Sequence, residues 1–163
     1  MQNMATILFA VVVLAWIIVR QLQARPVNER NPFTVMVVLA GVGLYQIAAL
    51  AGKVQVPPVA YLALIVGLVS GAYFGWLRGR LVRVWRRDGQ LLRQGNWLTV
   101  VLWVAGLAVH LGIDQTGVLL TRGTGRDAAS ALGTSGILLY VAVALAAQRF
   151  ATLRRGSLQL QPA

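Results

Sequence analysis

Residues 57–78 read PPVAYLALIVGLVSGAYFGWLR, and the nineteen residues between Pro58 and Arg78 carry no charged side chain. At 1.5 Å per helical residue such a run spans roughly 30 Å, the thickness of a bilayer's hydrocarbon core. The two prolines suit a first helical turn, where a missing N–H costs no hydrogen bond. Gly67, Gly71 and Gly75 recur at four-residue spacing, which lays a smooth groove along one helix face. A second helix can approach closely there, as packing in lipid requires. The spacing leaves open whether that neighbour belongs to the same chain.

Working outward, Met1–Val19, Asn31–Gly52, Gln94–Ile113 and Ala128–Gln148 also lack Asp, Glu, Lys and Arg. Together the runs predict an all-α integral membrane protein, a single membrane domain over 1–163. Its five transmembrane helices fall at about 4–19, 32–51, 57–77, 96–113 and 130–149. The apolar fraction of 58% exceeds the roughly 45–50% of soluble domains. Met1 to Met4 carry no basic side chain, and no small-residue cleavage site follows, so the first run reads as a retained helix.

The net charge of +11 would suggest nucleic acid in a soluble protein. Here the basic residues fall between apolar runs, so the expected partner is the lipid bilayer and no nucleic acid. Twelve of them lie in the first loop (Arg20, Arg25, Arg30), the third loop (six arginines from Arg78 to Arg93) and the tail (Arg149, Arg154, Arg155). Lys53, Arg122 and Arg126 lie on the other side. Positive charge marks the cytoplasmic side, so the N-terminus is expected outside and the C-terminus, with a tail over 150–163, in the cytoplasm. Trp76, Trp85 and Trp97 then sit near the inner headgroup layer.

The third loop holds Asp88-Gly89 between Val82, Val84 and Trp85 on one side and Leu91 and Leu92 on the other. This predicts a short cytoplasmic β-hairpin over 80–94, because glycine accepts the positive φ of a tight turn. A continued helix in the headgroups is the alternative. The second outer loop, Asp114 to Asp127, reads as solvated.

No cysteine is present, which excludes disulfides, thiolate metal sites and a thiol relay run by this chain. A single histidine and four acidic residues give too few ligands for a metal site, and no cofactor is expected. His110 and Asp114 are four residues apart, on one face of a helix. A carboxylate can orient an imidazole that moves protons near neutral pH. The structural alternative has Asp114 ending the helix in water and His110 packing at the interface. Tyr45, Gln46, Tyr61, Thr134 and Ser135 fall at a similar depth, which predicts a polar pocket opening to the outside.

The order of features carries a resemblance. Arg25-Pro26, then Val56-Pro57-Pro58, the glycine-bearing run Ile65 to Ser70, Arg87-Asp88-Gly89 and a final span ending in arginines resemble the CcdC-like family of bacterial membrane proteins. That resemblance implies the bacterial cytoplasmic membrane and a link to cytochrome c maturation, which a chain without cysteine would serve indirectly. The family tends to show a basic residue late in the fourth helix, where this chain has His110 and Asp114. By size, helix count and acid–base pair the chain is also similar to the small membrane subunit of linaridin peptide biosynthesis. There a two-protein enzyme inverts α-carbons without a cofactor.

Three readings follow. The first is a membrane-embedded subunit or scaffold, with another protein subunit as partner. The second is an isomerase-like acid–base enzyme subunit using His110 and Asp114. The third is a small transporter or lipid-binding protein. For the topology, single cysteines introduced at Arg87 and Arg154 are expected to label only from the cytoplasm, and those at Lys53 and Thr124 only from outside. Cytoplasmic labelling of Thr124→Cys would reverse the assignment.

Overall fold

The structure, a computed structural model, describes residues 19, 22–27, 33–87, 89–121 and 125–158, the last by its backbone alone. The chain is mostly helical with a small three-stranded sheet, and four of the described helices are long and apolar enough to cross a membrane. These are α1 (Thr34–Ala51), α2 (Pro58–Leu81), α3 (Trp97–Leu120) and α4 (Gly125–Leu158). The first of the five expected spans, 4–19, lies outside the described residues apart from Val19.

Helix α2 is the centre of the bundle. It begins with Pro57 as cap and Pro58 in the first turn. Gly67, Gly71 and Gly75 are all buried, and Gly79 extends the same face. A Cβ at Gly71 would lie 2.8 Å from the Tyr140 ring, one at Gly75 would collide with the Ala144 carbonyl, and one at Gly79 would strike Ala151. The groove therefore receives α4 of the same chain, with α2 and α4 close to backbone contact. Helix α1 is peripheral: only Gly43 is buried, facing Leu139 of α4. Val35, Val37, Val38 and Leu44 are exposed, as lipid-facing side chains are.

The expected hairpin is present. Strands β2 (Arg83–Arg87) and β3 (Gln90–Gln94) pair antiparallel, and Gly89 turns between them at φ 73°. The sheet has a third member that the hydropathy pattern gave no sign of: β1 (Arg25–Pro26) pairs antiparallel with β3, and the sheet order is β1-β3-β2. A proline is tolerated there because β1 is an edge. Val27, Val82, Val84 and Leu91 form a small core under the sheet, closed by Leu153 of α4.

Two boundaries differ from expectation. The outer loop expected over Asp114 to Asp127 is largely helix, since α3 runs to Leu120 and α4 starts at Gly125. Asp114 does not end the span because it packs inward against Gly133. The hydroxyls of Thr116 and Thr121 donate to carbonyls four residues back, so these two polar side chains are satisfied by the helix itself. The expected tail is also helical, to Leu158. At 1.5 Å per residue α4 is about 50 Å long, well beyond a bilayer core. Its projecting end is fixed to the sheet: Arg155 donates to the backbone oxygens of Arg80 and Val82, and Leu91 sits over Gly156. Helix α3 starts sharply because Asn96 and Thr99 cap each other, Asn96 Oδ1 accepting from Thr99 N at 3.0 Å and Thr99 Oγ1 from Asn96 N at 3.1 Å.

Gly71→Leu is expected to unfold or strongly destabilise the bundle, by more than the roughly 1–3 kcal/mol of ordinary overpacking, because ring and backbone both block the new side chain. Gly41, which faces open space, is the control. Equal thermal midpoints for Gly71→Leu and Gly41→Leu in detergent would refute the packing.

Candidate functional site

Near the middle of the bundle three side chains from two helices meet. His110 of α3 is fully buried. Its ring stacks on Tyr140 of α4, with centroids 4.1 Å apart and planes 15° from parallel. Gly67 of α2 forms the adjoining wall, since a Cβ there would lie 2.8 Å from His110 Nδ1. Gly106 leaves room for the Tyr140 hydroxyl in the same way. Two glycines of the groove, Gly67 and Gly71, thus make space for the two rings.

One turn further along α3, Asp114 Oδ2 lies 3.4 Å from His110 Nε2. The i, i+4 spacing does bring the pair together, but without the geometry of a hydrogen bond. Both ring nitrogens of His110 are buried without a hydrogen-bond partner. Gly133 of α4 packs against the carboxylate. Beside Asp114 is a cavity of about 10 Å³, walled by Ala60, Ala63, Leu64, Gly117 and Ala129. That is space for about one water molecule.

The expected pocket-lining residues do not converge on this pair. Tyr45 is 75% exposed and Gln46 is exposed on α1. Tyr61 is exposed on α2, and Thr134 is exposed with its hydroxyl donating to the Ser130 carbonyl. Ser135 is half-buried. Hydropathy places residues in depth but does not fix the side of the helix they occupy. With Gly43 turned to α4, Tyr45 is about 200° and Gln46 about 300° around α1. A wide depression at this end of the bundle is lined instead by Gln55, Pro57, Thr121 and Asp127.

Tyr140 and Arg78 were not foreseen as site residues. Tyr140 is the one aromatic residue between 130 and 149, a signal that could have been weighed. On its far side it lines a shallow crevice with Arg78 and Trp103. Among the described residues no cluster of three His, Cys, Asp or Glu side chains could hold a metal ion.

No family model matches the chain, and neither a curated protein nor a solved structure matches it. The chemical capacity of the site therefore rests on its own geometry. It can share a proton between imidazole and carboxylate. His110→Ala is expected to lower stability by roughly 2–5 kcal/mol, the range for large buried side chains, because it removes the ring between Gly67 and Tyr140. An unchanged thermal midpoint would show that the stack contributes nothing.

Proposed function

We propose that the chain is a multi-pass subunit of the bacterial cytoplasmic membrane that acts as a scaffold within a larger complex. The enclosure of the His110–Asp114 pair supports this reading: His110 is fully buried, Asp114 is half-buried, and the cavity beside it, about 10 Å³, has room for about one water. Helix α1, with only Gly43 buried, leaves most of its surface for lipid or a partner. In this reading the span at 4–19 completes a five-helix bundle with the N-terminus outside. The arginine-rich sheet then lies on the cytoplasmic side, in keeping with the distribution of basic residues.

A second reading keeps the pair chemical. The 3.4 Å approach of His110 to Asp114 favours an acid–base subunit in which a partner protein opens the site and supplies the substrate pocket.

Native mass spectrometry of the full chain from mild detergent separates the two. The scaffold reading expects a partner at fixed stoichiometry, and His110→Asn and Asp114→Asn variants that keep both the complex and its activity. An isolated single chain contradicts it. An intact complex whose activity falls by about 10²–10⁴-fold in those variants establishes the acid–base reading instead.

A further inference from the structure

Helices α3 and α4 both pack on α2, and on one flank a crevice runs between them. Around α4, Leu139 turns to α1, while Tyr140 and Ala144 turn to α2. Val141 and Leu145 turn to the crevice, whose other wall is Trp103 and Leu107 of α3. These four apolar side chains are half-buried. Arg78, in the last turn of α2, marks one end of the crevice. Leu139 and Val141 stand about 200° apart around a helix, so α1 packs on the opposite flank of α4. Among the described residues, α1 does not reach the crevice.

The chain that precedes β1 arrives at that same end. Gln23 N donates to the Val19 carbonyl at 3.2 Å, the bond of a helical turn. Gln94 Nε2 donates to the Leu22 carbonyl at 3.0 Å, and α3 begins three residues later at Trp97. Gln94 in turn pairs with Arg83, two residues past the end of α2. Pairing of Arg25 with Arg93 fixes the next stretch of chain to β3. The segment from Val19 to Leu22 is therefore held beside the last turn of α2 and the first turn of α3, at the level of Arg78.

Residues 4–19 read MATILFAVVVLAWIIV, with no charged side chain. As a helix they reach about 24 Å from that point, and a helix rising from it runs antiparallel to α3 along the crevice. In lipid an apolar helix is held by side-chain packing, and a cleft between two helices offers that packing on two sides at once. A second copy or another protein would have to compete with a segment tethered at the mouth, which has a high effective concentration there.

We propose that the span over 4–19 packs into the crevice between α3 and α4 of its own chain. The inference rests on the membrane reading of the chain but not on its role as a scaffold. With that flank covered from within, the wall at Tyr140 is screened from lipid, and the exposed face of α1 is the surface left for a partner.

The chain has no cysteine, so disulfide mapping in the membrane of the expressing cell has no background. Leu107→Cys is combined with single cysteines at each position from 8 to 15 and oxidised with copper phenanthroline, and the joined peptides are identified by mass spectrometry. The expected result is disulfides within one chain, strong at every third or fourth position, the period of one helix face. Val109→Cys is the control: it is exposed, lies about 200° from Leu107 around α3, and should give none. Val141→Cys, on the α4 wall, should reproduce the Leu107→Cys pattern, and it decides the matter if Leu107→Cys does not fold. Equal yields from Leu107→Cys and Val109→Cys overturn the seat. Disulfides between two singly substituted chains, without any inside one chain, assign the crevice to a second copy and overturn the proposal. No disulfide from either wall, in a chain that inserts into the membrane, leaves the crevice to lipid or another protein; it refutes the proposal while sparing the membrane reading. Recovery of the chain in the soluble fraction overturns the membrane reading itself, and the proposal with it.

Discussion

The close approach of α2 to α4 along Gly71, Gly75 and Gly79, with Gly67 of the same face turned to His110 of α3, is the constraint on which the remaining structure depends. In lipid the hydrophobic effect does not drive helices together, so contact has to come from close packing. Removing four side chains from one face lets the backbones meet, and it also creates the hollows that His110 and Tyr140 fill. The polar pair is consequently a product of the helix contact. His110 is buried because the groove places α3 and α4 around it, and the same packing leaves about 10 Å³ beside Asp114.

The same contact sets the other end of the molecule. Once α4 lies along α2, its length carries it past the final turn of α2 and under the sheet. There Arg155 binds the chain at Arg80 and Val82, and Leu153 closes the small core. The sheet is thereby held by a helix that is itself anchored in the bundle. Arg78 and Arg149 are drawn together by the packing at Gly79, and the pairing of β1 with β3 adds Arg25 and Arg93. A basic corner arises where four separate stretches of sequence end, each placed there for a structural reason.

Much of this was legible from the residues. The charge-free runs located four described spans, the glycine spacing located the contact face, and Asp88-Gly89 located the hairpin turn. His110 and Asp114 meet as helical spacing requires. What was not legible depends on three-dimensional placement. Two residues containing a proline give no strand signal, yet Arg25–Pro26 joins the sheet because β3 offers it an edge. Asp114 looks like the end of a span when charge alone is read, but Gly133 gives its carboxylate a place inside. Tyr45 and Gln46 are exposed on α1 and do not face the site, because hydropathy suggests depth while packing sets rotation.

The central claim, that glycine at the α2–α4 contact positions the bundle, is tested most directly by Gly75→Ala and Gly112→Ala in one lipid preparation. Alanine favours a helix over glycine by about 1 kcal/mol, so propensity alone predicts that both variants gain stability. The contact predicts a split. Gly112→Ala, whose methyl meets open space, should keep or raise its thermal midpoint. Gly75→Ala, whose methyl would collide with the Ala144 carbonyl, should lower it clearly. Equal or higher midpoints for both variants would contradict the account.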